Sequence, residues 1–193
     1  MPTVAVFVGS LRRESLNRRF AESIAALAGD RLRFDIVDLS DVPMYNDDLW
    51  AETPAGVTRM KAAIEAADAV LFVTPEYNRS YPAVLKNAID WASRPYGRSS
   101  WAGKPAAVVG TSPGSLGAAV AQNELRNILT VVGLIVMGQP EVYFQFKPEA
   151  FEGADVVEPG ARTILNHFVD AFAAFVARTA QPRPAEQPDA TRS

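Results

Sequence analysis

Apolar positions recur along this chain in two alternating rhythms: short unbroken runs, and longer stretches with an apolar residue every three or four positions. The first run, Val4-Ala5-Val6-Phe7-Val8, reads as a buried parallel strand. Leu16, Phe20, Ile24 and Leu27 then mark one stripe of a helix that should face a sheet. Residues 32–38 read as a second strand through Phe34, Ile36 and Val37, and a polar connection follows through Pro43, Tyr45, Asn46, Asp47 and Asp48. Thr53 as N-cap and Pro54 at the first helical position open a second helix to about residue 67. Residues 68–74 form a third strand that stops at Pro75, and 82–91 a helix with Leu85, Ile89 and Trp91 available to one face. Residues 105–111 are a fourth strand, 118–132 a helix closed by Gly133 in the C′ role, and 134–137 the start of a fifth strand. The last helix, 159–178, carries Ile164, Phe168, Phe172 and Phe175 as its core face.

Strands alternating with helices in this way predict an α/β fold: a doubly wound five-stranded parallel sheet with helices on both faces. Right-handed crossovers leave the flavodoxin-like order 2-1-3-4-5 as the simplest arrangement. Residues 1–179 make a single domain, and 180–193, rich in Pro, Gln and Ala without an apolar period, read as a disordered tail.

Ligands of such sheets sit at the carboxyl ends of the strands. Three polar loops converge there. The first, residues 9–18, places Ser10, Ser15, Arg12, Arg13, Arg18 and Arg19 around the start of a helix, where unpaired N–H groups and a partial positive charge already favour an anion. Ser15 is the natural N-cap. Neither the Walker A pattern nor G-x-G-x-x-G is present, which weakens nucleotide hydrolysis and direct Rossmann-type NAD binding. The second loop, Pro75-Glu76-Tyr77-Asn78 closed by Pro82, offers a stacking face and an amide to a flat heterocycle. In the third, Thr111, Ser112, Gly114, Ser115 and Gly117 permit close backbone approach. An anion cradle beside two donor-rich turns is the layout a phosphorylated ring cofactor needs.

Composition narrows the classes. The chain has 193 residues, 48% of them hydrophobic and 21% charged, with a formal net charge of -3, which argues against a basic-patch nucleic-acid binder. It has no cysteine, so thiol catalysis and thiolate metal sites are excluded, and redox chemistry requires a borrowed cofactor. No apolar run approaches the roughly 18 residues of a membrane span, and a strand begins close to Met1, so the expected location is the cytoplasm. His167, the sole histidine, reads as structural or surface, and Asp47 and Asp48 read as solvated loop residues rather than metal ligands.

GSLRRESLNR, PEYN followed by a proline and LKNAIDW, and AGKPAAVVGTSPGSLG together resemble the NADPH-dependent FMN reductase family, particularly its bacterial quinone and chromate reductase branch. The resemblance covers about residues 3–178. It implies that Ser10, Arg12, Ser15, Leu16 and Asn17 hold the FMN phosphate. Pro75, Glu76, Tyr77 and Asn78 would line the ribityl chain and ring, and Ser112, Gly114 and Gly117 would approach the pyrimidine end. It further implies NADPH or NADH as donor and a small-molecule acceptor, whether quinone, azo, nitro or chromate. No side chain need act as acid, base or nucleophile, and no metal is required. A homodimer or homotetramer would border each flavin, with the helix holding Leu85, Asn87, Ile89, Asp90 and Trp91 at the interface. Tyr81 and Ala83 depart from the family pattern beside the second loop, and Arg79 next to them is a candidate for meeting an anionic acceptor or a cofactor phosphate. The rival readings are a flavodoxin-type electron carrier and a flavin-free oligomeric scaffold.

Overall fold

In the structure, a computed structural model, residues 1–180 are described. Strand β1 spans Thr3–Val8, β2 Arg33–Ile36, β3 Ala69–Thr74, β4 Pro105–Ser112 and β5 Ile135–Val136, and they lie parallel in the order β2-β1-β3-β4-β5. Helices α1 (Leu16–Ala28), α2 (Ala55–Ala66), α3 (Ala83–Ala92), α4 (Ala119–Val131) and α5 (Pro159–Thr179) cover both faces. Because successive strand side chains point to opposite faces, the central strands divide their residues between two cores. Val4, Val6 and Val8 with Leu71, Val73 and Val109 pack under α1 and α5. Ala5 and Phe7 with Val70, Phe72 and Val108 pack under α2, α3 and α4 around Trp91 and Trp101.

The fifth strand is shorter than the sequence predicts. After Ile135–Val136 the chain leaves the sheet, and β6 (Tyr143–Gln145) returns to pair in parallel with the far end of β4, at Gly110, Thr111 and Ser112. The polar connection after β2 contains a 3₁₀ turn, Asp47–Glu52, in which Asn46 accepts from the Asp48 N–H. A small antiparallel hairpin of β7 (Phe151–Glu152) and β8 (Asp155–Val156) precedes α5.

Other corrections are local. Helix α2 starts at Ala55 with Pro54 in the cap position and no side-chain cap, so Thr53 belongs to the preceding turn. On α5 the buried stripe is Leu165, Phe168, Val169, Phe172 and Val176, whereas Ile164 is 52% exposed and Phe175 only partly buried. On α3 Leu85, Asn87, Ile89 and Trp91 are internal to the chain, leaving Ala83, Lys86 and Asp90 as the outward face. Ala180 still packs on the core and donates to the Val176 carbonyl, while the rest of the expected tail, 181–193, lies outside the described residues.

Candidate functional site

The carboxyl edge of the sheet gathers the three loops at the ends of β1, β3 and β4. Loop one is shaped at both of its ends. Gly9 donates to the Val73 carbonyl at 2.9 Å, and a Cβ there would press on Pro75 Cδ and Leu85 Cδ1 at 2.9 Å, so glycine lets loops one and two lie against each other. Ser15 caps α1, its Oγ accepting from the Arg18 N–H at 3.1 Å. The Leu16 and Asn17 N–H groups then have no acceptor among the described residues, which leaves them available to an anion. Arg12 stands 72% exposed with only Glu14 near it at 3.7 Å. Ser10 accepts from the Arg12 N–H at 3.4 Å, which curls the loop.

The Asn17 side chain is committed within the protein. Its carboxamide is buried, donating from Nδ2 to the Thr111 carbonyl at 3.0 Å and accepting the Thr111 N–H on Oδ1 at 3.1 Å. The side chain therefore ties loop one to loop three, and only the main chain of Asn17 remains for a ligand. Thr111 is equally committed, since its hydroxyl donates to the Phe144 carbonyl on β6.

In loop two, Tyr77 and Ser80 exchange backbone hydrogen bonds at 2.9 and 3.0 Å around Asn78 (φ +52°) and Arg79 (φ +66°), a two-residue turn with both central residues left-handed. Asparagine tolerates that conformation; an arginine in it is strained. Glu76 is nearly buried, and one carboxylate oxygen accepts the Val120 and Ala121 N–H groups at 3.0 and 3.3 Å at the start of α4. The other oxygen meets Arg79 at 3.3 Å. Glu76 is thus a brace between loop two and the helix following loop three. Pro75 is buried and Tyr77 is 52% exposed at the rim.

In loop three, Ser112 Oγ donates to the Gly114 carbonyl at 3.1 Å, and Gly114 is open on its Cβ side except for that hydroxyl. Gly117 behaves otherwise. It is buried at φ +55°, and a Cβ there would overlap the backbone of Tyr143 and Phe144. It packs against β6 rather than toward the open edge. Gln122, fully buried, donates to the Gly117 and Val142 carbonyls and fixes the same junction. Sequence reasoning missed β6 as this support, and Tyr143-Phe144-Gln145 is the short apolar-aromatic signal that marks it.

Beyond the loops, the Asp38 carboxyl sits below the usual carboxylate range, chiefly because the Ser40 N–H donates to it, with Arg59 and Arg18 adding positive charge. His167 is exposed on α5, which the three loops do not contact through any described hydrogen bond. Asp47 accepts from the Tyr45 hydroxyl at 2.9 Å.

A doubly wound sheet whose first loop offers free helix N–H groups, a capping serine and an arginine, with two turns braced beside it, defines a flavodoxin-like fold with an anion-ready ligand edge. A model of NADPH-dependent FMN reductases matches residues 2–149. A 2-hydroxy-1,4-benzoquinone reductase from a Burkholderia species is 44% identical over 174 residues, covering 90% of this chain and 95% of that protein. A quinone reductase from Pseudomonas putida is 47% identical over 175 residues, covering 90% and 94%. Among solved structures, the flavoenzyme NAD(P)H:(acceptor) oxidoreductase FerB from Paracoccus denitrificans matches with a TM-score of 0.92 at 51% identity, over 94% of this chain and 100% of that one. The chain belongs to the NADPH-dependent FMN reductase family. It is an FMN-dependent oxidoreductase with reduced nicotinamide as electron donor, which sets aside the electron-carrier and scaffold readings. Among the described residues no helix is long and apolar enough to cross a membrane.

Proposed function

We propose that the protein reduces quinones with NAD(P)H at a bound FMN, and that the three loops hold the flavin. The observation that carries this is the bracing of an anion-ready helix start to two open turns, in a chain 44% and 47% identical to quinone reductases. When bound, FMN supplies the chemistry of taking two electrons from a nicotinamide and giving them to an acceptor. The protein binds and orients. Ser10, Arg12 and the N–H groups at Ser15, Leu16 and Asn17 hold the phosphate. Tyr77 and Asn78 flank the ring and ribityl chain, while Pro75 and Glu76 set the loop that presents them. The Ser112 and Gly114 backbone approaches the pyrimidine end and stabilises negative charge there, and Gly117 keeps that loop seated on β6. We assign no acid, base or metal ligand.

Leu11, Tyr77 and Leu116, one from each loop, are 59%, 52% and 49% exposed. Such a rim at a ligand edge is suited to cover by a second subunit, so the working assembly is a homodimer or homotetramer with flavin at the interface. The cytoplasm, where reduced nicotinamide is regenerated, is the assigned location.

The test is anaerobic mixing of FMN-loaded protein with NADPH and, separately, NADH. Loss of the oxidised-flavin absorbance within seconds, and its return on adding 1,4-benzoquinone, is the expected result. An unchanged spectrum would overturn the reading. Gel filtration at micromolar concentration reads the assembly.

A further inference from the structure

On the β2 side of loop one lies a cleft of about 360 Å³ that adjoins the proposed flavin-phosphate residues Ser10 and Arg12. One wall carries Arg12, Arg13 and Arg18, and the other is the turn after β2, with Asp38 and Ser40; Leu11 lines it as well. Arg18 shares its charge with Glu22 at 3.2 Å and Arg12 meets Glu14 at 3.7 Å. Arg13 is exposed and has no hydrogen-bond or ion-pair partner among the described residues. Opposite these cations the Asp38 carboxylate is fixed by the Ser40 N–H at 2.9 Å.

Cations and a fixed carboxylate across one small cleft recognise two different groups on one ligand. Guanidinium forks match phosphate oxygens, two bonds at a time. A carboxylate accepts the vicinal hydroxyls of a ribose. The volume is at the low end of the ~300–1,000 Å³ that small-molecule sites span, room for one nucleoside phosphate and not a whole dinucleotide. Ser10 and Arg12 line this cleft and also belong to the proposed flavin-phosphate loop, so an anion in the cleft would neighbour the flavin phosphate.

We propose that this cleft is a subsite for the adenosine phosphate half of a dinucleotide, adjoining the flavin phosphate. The inference rests on loop one holding that phosphate. Two molecules carry the required group: FAD, whose adenylate continues directly from the phosphate of FMN, and NADPH, whose adenosine bears an added phosphate. Arg13 binds the phosphate in either case; Asp38 accepts both adenosine ribose hydroxyls of FAD but only the 3′-hydroxyl of NADPH, whose 2′-oxygen carries the added phosphate.

Apoprotein of wild type, Arg13→Ala and Asp38→Asn is titrated with FMN and with FAD by flavin fluorescence, and each FMN-loaded protein with NADP⁺ and NAD⁺ by the perturbation of the flavin absorbance. Tenfold or greater weakening of FAD in both variants, with FMN unchanged, assigns the subsite to the flavin dinucleotide. Weakening of NADP⁺ by that factor in Arg13→Ala, with NAD⁺ and FMN unchanged, assigns it to the nicotinamide dinucleotide. Variants that bind all four ligands as wild type does would overturn the subsite while leaving the flavin site standing. Wild-type apoprotein that takes up no FMN would overturn the phosphate-loop reading and the subsite with it.

Discussion

Asn17, in the first turn of α1, satisfies both backbone polar groups of Thr111, 94 residues away, with its single carboxamide. The two hydrogen bonds lock loop one to the end of β4, where loop three begins. Thr111 is fully buried, so its backbone groups depend on this carboxamide rather than on bulk solvent.

Replacing Asn17 with Ala therefore leaves a buried N–H and a buried C=O unpaired, at about 1–3 kcal/mol each before relaxation. The melting temperature of the apoprotein should fall by several degrees, about 2–4 °C for each kcal/mol in a domain of this size. Asn17→Asp restores the acceptor for the Thr111 N–H but sets a carboxylate against its carbonyl, so it should not rescue. Thermal unfolding followed by circular dichroism decides, and an unchanged midpoint for Asn17→Ala would refute the lock.

The two glycines of loop three separate by the same logic. Gly117→Ala must place a Cβ into the Tyr143 and Phe144 backbone at a positive φ, and should lose more than about 2 kcal/mol. Gly114→Ala meets only the Ser112 hydroxyl at 3.7 Å and should stay within about 0.5 kcal/mol of wild type. Urea midpoints of the apoproteins measure both. Equal midpoints would mean that β6 does not seat loop three.

The fold was legible where local pattern and tertiary role coincide. β1, β3 and β4 are buried on both faces, so their apolar runs announce them, and Ser15 stands where a helix needs its cap. Legibility ended where the partner is remote. Nothing near Asn17 indicates that its amide is spent on Thr111 rather than on a ligand, and nothing near Gly117 indicates the strand that presses on it. The fifth lane of the sheet failed for a different reason: Ile135–Val136 and Tyr143–Gln145 are each too short to set a period, and only their shared neighbour β4 unites them. On α5 the phase was read from aromatics, which brought in Ile164 one position away from the buried Leu165.

Glu158 gives a pH dependence remote from the loops. Its carboxylate accepts the Ala161 and Gly160 N–H groups at the start of α5, and those bonds hold its pKa below the ordinary 4.5. A carboxyl lowered by folding stabilises the native state at pH above the unfolded value, and that contribution drains away as pH falls through the folded value. Glu158→Gln should thus melt below wild type at pH 7, with the gap closing as pH falls below 4.5. A gap that is constant with pH would show that the charge on Glu158 plays no part.

Arg12 separates binding from folding. Its side chain is 72% exposed, and its ion pair with Glu14 spans 3.7 Å in solvent, a geometry worth little to stability. Arg12→Ala should therefore leave the apoprotein melting curve in place. A charge-assisted hydrogen bond to a phosphate contributes about 1.5–3 kcal/mol, so FMN affinity should fall about 10- to 100-fold. Riboflavin, which lacks the phosphate, should bind wild type and variant alike, and the flavin fluorescence titration that compares the two ligands makes the assignment specific. Equal losses for FMN and riboflavin would place Arg12 against the ring rather than the phosphate, and no loss for either would remove it from the site.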